Sequence, residues 1–225
     1  MHPLDRPVWS TLTTYHAALS MGTELARRFL PDVNLFMSAC DDSPQALAAL
    51  ADLVKPGELG FIAQVPRIVL PPGFEEVKGA KAVQMVAAAG AIASPDAEIV
   101  TLTDKDAPEM LALATLTEPG PFLARTHTMG HFRGVRIGGR LAAMAGERMR
   151  LPGYTEVSGV CTHPDFRGRG LARRLSAAVV AGIQARGDRA FLHAWRTNQA
   201  AISLYEALGF ELRAEVNVSV LKRNG

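Results

Sequence analysis

The segment Val160 to Ala172 (VCTHPDFRGRGLA) constrains the fold more than any other stretch of the chain. An apolar strand pattern runs into a proline turn, meets two glycines, and passes straight into a helix. Gly168 and Gly170 place no side chain at the turn. The helix that starts there offers unpaired N–H groups and the positive end of its dipole. Such a junction holds phosphate or pyrophosphate. Arg167, Arg169, Arg173 and Arg174 surround it with positive charge. It is not a P-loop, because no Gly-Lys-Ser/Thr follows. It is not the dinucleotide fingerprint, because Gly168 and Gly170 are followed by Arg173 and no acidic residue ends the next strand.

The rest of the chain supplies an α/β setting. Its 225 residues, 48% hydrophobic and 20% charged, exclude wholesale disorder. A formal charge of +2 gives no global field for nucleic acid. Cys40 and Cys161 are too few for a disulfide framework or a zinc site and read as reduced thiols of a cytoplasmic protein. The most apolar stretch, Ala82 to Ala93, is too short for a membrane span, which needs about 20 residues. The N-terminus has no apolar leader pattern, and no repeat is visible. Metal, nucleic acid and membrane are therefore not expected as partners.

Residues 1–95 read as an N-terminal α/β half and 96–225 as a second, more regular one, with the boundary near Ser94-Pro95-Asp96. In the first half, His16 to Leu30 reads as a helix stopped by Pro31, and Asn34 to Ala39 as a short buried strand. Ser43 caps a helix with Pro44 at its first position. Leu59 to Gln64 and Lys81 to Ala87 read as strands around a Pro71-Pro72-Gly73 turn. In the second half the order is β-α-β-β-β-α-β-α-β. Its strands are Glu98–Thr103, His131–Ile137, Arg140–Arg148, Tyr154–Thr162, Ala190–Trp195 and Phe210–Leu221. Its helices are Asp104–Thr117, Gly170–Arg186 and Asn198–Leu208. Gly138-Gly139 is the composition of a two-residue hairpin.

Arg167-x-x-Gly170-x-Ala172, flanked by strand and helix, resembles the acyl-CoA signature of the GNAT family of N-acetyltransferases. Asn198 and the run Ala201 to Phe210 (AISLYEALGF) resemble the closing part of the same fold. The resemblance covers roughly residues 97 to 223. Gly138 to Glu147, followed by Glu156 to Pro164, is similar to the branch related to glycine N-acyltransferase, in which a degenerate copy of the fold precedes the catalytic one. The implied fold is a mixed, mostly antiparallel sheet flanked by helices, preceded by a smaller, degenerate GNAT-like half.

The resemblance also implies a site. Backbone N–H groups of Arg169, Gly170, Leu171 and Ala172 would hold the pyrophosphate of acetyl-CoA, with Arg167 beside them and Gly168 allowing close approach. Val160, Cys161 and Thr162 would pair with the pantetheine arm, and Asn198 would hydrogen-bond it. Transfer to an amine then sets chemical needs. An alkyl ammonium has a pKa of about 10.4 and must lose a proton before attack. Glu156 is the candidate to take it, directly or through water. A backbone N–H near Val160 would hold the oxyanion. Tyr205 matches the residue that protonates the departing thiolate. Glu118, Phe122, Arg125, Thr126 and His127 lie where acceptors usually enter.

Plainer readings stand beside these. Tyr205 also fits as a core residue, Glu156 as a hydrogen-bond partner, and Asn198 as a helix N-cap. Cys161 reads as a small buried hydrophobe and not a nucleophile, and His163 as a turn former. His127 and His131 lack the further ligands of a metal site. The expected activity is direct acetyl transfer to the primary amine of a small molecule. The alternative is a catalytically weak CoA-binding module for sensing or partner contact. Whether the N-terminal half covers the acceptor site or supports a homodimer stays open.

Overall fold

Alternating burial along the longest strands builds the centre of the computed structural model, which describes residues 2–88, 90 and 96–225. Ser94 and Pro95, at the expected boundary, lie outside the described residues.

The chain opens with α1 (Pro7–Leu12), started by a proline. A small antiparallel sheet follows, formed by β1 (Ser20–Gly22), β2 (Ala26–Phe29) and β3 (Met37–Ala39). The expected helix over His16 to Leu30 is therefore a short 3-10 turn and two strands. The reason is tertiary. Arg28 is buried, and donates to Glu58 and to the Leu53 carbonyl, while Ala26 and Phe29 face a closed core. An isolated helix could not satisfy that guanidinium. Next comes α2 (Pro44–Asp52), with the Ser43 hydroxyl accepting from Ala46 N–H as the cap.

The remaining strands are β4 (Leu59–Gln64), β5 (Phe74–Ala87), β6 (Ile99–Leu102), β7 (Phe132–Ile137), β8 (Arg140–Leu151), β9 (Tyr154–Thr162), β10 (Arg189–Trp195) and β11 (Phe210–Arg223). They form one eight-stranded sheet in the order β4-β11-β5-β10-β9-β8-β7-β6. All neighbours are antiparallel except β9 and β10. Strands from before residue 95 thus sit within the sheet: β5 lies between β11 and β10. It also starts seven residues before the expected Lys81. Gly138 and Gly139, with φ of 56° and 80°, make the expected hairpin turn.

Three helices complete the fold: α3 (Ala107–Thr117), α4 (Leu171–Ala185) and α5 (Gln199–Glu206). α4 buries Leu171, Leu175, Val179, Val180 and Ile183 against one face of the sheet, while α3 packs Met110 and Leu113 on a separate cluster. In β7, Phe132 belongs to the α3 cluster and Val135 to the α4 cluster. Residues an odd number apart on a strand point to opposite faces, so α3 and α4 cover opposite sides. β10 shows the same alternation: Ala190 and Leu192 meet the α4 cluster, and Phe191 meets α1, β2 and the segment before β3. The N-terminal elements therefore share the α3 side. Phe36 bridges to Phe61 and joins the small sheet to the large one. Among the described residues, no helix is long and apolar enough to cross a membrane.

β9 bulges against β8, where the register shifts between Met144 and Gly146. Gly159 sits in that bulge at φ 62°, and a Cβ there would lie 3.0 Å from the Phe132 ring. Gly159→Ala is expected to lower stability by about 1–3 kcal/mol. A urea melt with an unchanged m-value checks this.

Candidate active site

The ladder between β9 and β10 is short. It pairs Arg189 with Tyr154, Ala190 with Thr155 and Phe191 with Glu156, and then ends. Beyond that point the strands part, and the β10-facing edge of β9 from Val157 to Thr162 has no strand partner among the described residues. A cavity of about 280 Å³ fills the gap. Val157, Ser158, Gly159 and Val160 line one side; His193, Ala194 and Trp195 line the other; Asn198, Ala201 and Tyr205 of the α5 region close one end.

Glu156 is the last paired residue of β9 and is fully buried. Arg148 grips it with two charge-assisted bonds, Nε to Oε2 at 2.8 Å and Nη2 to Oε1 at 2.7 Å. A register shift between Glu147 and Arg150 sets Arg148 opposite it. His193 Nδ1 lies 2.7 Å from Glu156 Oε1. Burial alone would push the Glu156 carboxyl up. The Arg148 charge and the Arg148 and His193 hydrogen bonds override it and hold the pKa down at about 2.

An ionised carboxylate only accepts, so His193 Nδ1 carries the proton. Its Nε2 must then accept from Gln84 Nε2, 3.0 Å away. Gln84 is fixed in that sense because Arg213 Nη1 donates to its Oε1 at 2.7 Å and its Nε2 also donates to the Leu4 carbonyl. A buried polar chain therefore runs from Arg213 through Gln84 and His193 to Glu156 and Arg148. The sequence reading singled out Glu156 alone. Arg148, His193 and Gln84 stand on three different strands, and no spacing in the chain could have joined them.

Tyr205 is buried at the cavity. Burial and the nearby Glu156 charge push its hydroxyl up to about 12, so it stays a donor at any working pH. Cys161 belongs to the α3 cluster, and burial pushes its thiol up to about 11. Asn198 lines the cavity and its side chain accepts from Ala201 N–H, so the capping role and a place at the cavity coexist.

The glycine turn lies at the start of α4. Gly168 and Gly170 have φ of 75° and 69°, and the space where a Cβ would stand is open at both. Among the described residues, none accepts from the N–H groups of Gly168, Arg169, Gly170, Leu171 or Ala172. Arg167 and Arg169 are exposed beside them. These donors can receive an anion.

The expected acceptor residues separate into two groups. Glu118 lines the main cavity, and Phe122 and Thr126 line a small pocket that shares Gly120, Arg148 and Ser158 with it. Glu118 takes a left-handed conformation, φ 48°, as it ends α3. Thr126 has its hydroxyl committed to the Val33 carbonyl at 2.6 Å. Arg125 pairs with Asp32 at 3.1 Å, and His127 Nε2 lies 3.3 Å from Asp104; neither lines the cavity. Phe36, Phe61 and Trp195, which line it beside Tyr205, escaped the sequence reading because they look like ordinary core residues.

Residues 132–219 match the family model described as FR47-like protein. A 92-residue stretch is 37% identical to an N-alpha-acetyltransferase RimI from Mycobacterium tuberculosis, covering 40% of this chain and 56% of that relative's length. A structure titled a GCN5-related N-acetyltransferase from Kribbella flavida superposes with a TM-score of 0.66 at 18% identity, covering 100% of this chain and 97% of that one; it shares the fold. A crystal structure assigned to the GNAT acetyltransferases, from Novosphingobium aromaticivorans, is 43% identical, covers 100% of both chains and superposes with a TM-score of 0.94. Identity at that level over both full lengths reflects common descent as well as common fold, and the chain belongs to the GNAT family of acetyltransferases.

Proposed function

We infer that the protein transfers an acetyl group from acetyl-CoA to the primary amine of a small molecule, by direct attack in a ternary complex. The observation that carries this reading is the parting of β9 and β10. It leaves a strand edge, an adjoining cavity and a free set of helix N–H donors in one continuous run.

The proposed roles are supported by that geometry. The N–H groups of Arg169, Gly170, Leu171 and Ala172 hold the pyrophosphate, with Arg167 and Gly168 at the turn. The pantetheine arm adds to the open edge of β9 at Val160, Cys161 and Thr162 and meets Asn198. The backbone near Val160 supplies the oxyanion donor. Glu156 accepts three hydrogen bonds and has one lone pair left on Oε2, within the roughly four sites of a carboxylate. A carboxyl held at about 2 is far too weak a base to keep a proton from an ammonium of pKa about 10.4. Glu156 is fully buried and does not line the cavity; it therefore positions Arg148 and His193, which do line it, and the proton leaves to solvent. Tyr205, at about 12, is a weaker acid than a free thiol at about 8.5. It stabilises the departing thiolate as a hydrogen-bond donor until solvent protonates it.

The finer placement beside glycine N-acyltransferase rests on the runs Gly138–Glu147 and Glu156–Pro164. An amino-acid acceptor, which that placement implies, is one arm of the test in the next subsection. The division at residue 95, with a degenerate GNAT-like first half, rests on the sequence pattern.

Acetyl-CoA at 100-fold over its Kd adds about 2.7 kcal/mol, which raises Tm by roughly 5–10 °C. Differential scanning fluorimetry with and without acetyl-CoA is expected to show a saturable rise of that order; no rise at millimolar acetyl-CoA would sink the reading.

Gly170→Asp is expected to stay folded and lose the shift. Asp tolerates the left-handed conformation better than most residues, and its carboxylate would sit in the anion's place. Tyr205→Phe is expected to lower kcat by about tenfold or more while acetyl-CoA still raises Tm normally. Unchanged kcat would remove the donor role.

The pH dependence of stability has a definite sign. The Glu156 pKa is lowered on folding, so its contribution is complete above the unfolded value of about 4.3 and fades as pH falls towards 2. Glu156→Gln is expected to be destabilised at pH 7 and to show a weaker loss of Tm between pH 5 and 2 than the parent. Equal slopes would contradict the assignment.

A further inference from the structure

The cavity continues past the reacting centre, away from α5 and across the sheet face that carries the N-terminal elements. There it becomes a trough. Ala63 of β4, Ala82 of β5 and Val218 of β11 make a floor of small and apolar side chains. Phe36, Phe61 and Trp195 stand around it. Phe36 and Phe61 meet edge to face, with ring centroids 6.1 Å apart. Trp195 is 43% exposed, so part of its ring is open to a ligand. Aromatic residues are 6% of the chain, so their gathering here gives this end of the cavity aromatic walls.

Most of the charge around the trough is paired, with Arg148 Nη1 the donor that its partner leaves over. Arg148 lies over the Phe36 ring at 4.9 Å, but its Nε and Nη2 are committed to Glu156. The pair is neutral as a unit. His193 is held from both sides by Glu156 and Gln84. The remaining charged lining group is Glu118, exposed where α3 ends. A carboxylate-bearing acceptor would meet a neutral pair and a negative rim. An ammonium would be drawn in by Glu118, and an apolar body would find aromatic walls.

On this basis, and resting on the transfer reading above, we propose that the acceptor is a primary amine carrying an apolar, flat group and no carboxylate. Phe36, Phe61 and Trp195 seat that group, so the N-terminal segment sets acceptor specificity. In the step itself, the amine nitrogen bonds to the thioester carbonyl carbon and the C–S bond breaks. The thiolate leaves with the electron pair and is protonated. The ammonium gives one proton to solvent before attack, and the second proton the nitrogen loses as the amide forms balances the one the thiolate gains.

The test is thiol release from acetyl-CoA by the full chain with four acceptors: phenethylamine, ethylamine, phenylalanine and a hexapeptide with a free α-amine. The expected result is a kcat/KM for phenethylamine at least about tenfold above each of the others, since a filled hydrophobic pocket discriminates by that order. Phe61→Ala is expected to shrink the phenethylamine-to-ethylamine ratio mainly through KM. Phe61→Leu, which keeps most of the volume, serves if the alanine variant does not fold. Equal or better turnover of ethylamine, phenylalanine or the peptide would overturn the proposal. Absence of release with every amine would overturn the transfer reading. In that case, saturable binding of phenethylamine to the CoA-loaded protein, weakened by Phe61→Ala, would still uphold the trough, and no binding would overturn it too.

Discussion

The buried ion cluster at the point where β9 and β10 separate is the constraint on which the rest of the structure depends. Two parallel strands normally stay paired to their ends. Here they part after Glu156 and Phe191, and the exposed edge must be stabilised by something other than a ladder. Glu156 takes two bonds from Arg148 and one from His193. The three residues tie β8, β9 and β10 together at the fork. A carboxylate buried this deeply is tolerable only because it is paired and accepts three hydrogen bonds. Removing one partner would leave the other charged and dry.

That arrangement explains why one cavity can serve two partners. The α4 and α5 side presents the glycine turn, Asn198 and Tyr205. The opposite side presents α3, the strands β4 and β5, and the small N-terminal sheet. The gap between β9 and β10, where their ladder ends, connects the two faces. An acyl group carried in along the edge of β9 would arrive beside Glu156 and Tyr205, and an amine could reach it from the far face without crossing the sheet. The Gln84 and Arg213 bonds extend the cluster to the N-terminal segment through the Leu4 carbonyl, so the first residues of the chain brace the fork.

Much of the second half of the chain was legible in its sequence. Tyr154–Thr162 carries its strand as written, and the two-glycine hairpin and the helix after Gly170 follow from backbone freedom and capping. These signals are local. Asn198 and Tyr205, which line the cavity, could be singled out because each sits at a fixed offset in a recognisable run; Glu156 could be singled out the same way, but it lies buried behind the cavity wall. The N-terminal strand β2 was not. Its Arg27 and Arg28 suit a helix surface, and only the remote Glu58 and Leu53 carbonyl make burial of Arg28 possible. Arg148 and His193 were hidden for the same reason: their partner is across the sheet and not along the chain. Phe36 and Phe61 read as core because, from sequence, a cavity wall and a core have the same chemistry.

The central claim is that acetyl passes directly across the fork, with both substrates bound at once and no acyl-enzyme. Cys161 is the nearest alternative carrier by type, but it lies in the α3 cluster with its thiol pushed up to about 11. Initial rates measured over a grid of acetyl-CoA and amine concentrations test this most directly, together with intact mass of the protein after acetyl-CoA alone. The account predicts intersecting double-reciprocal lines and an unmodified mass. Parallel lines with an acetyl adduct on the protein would contradict it.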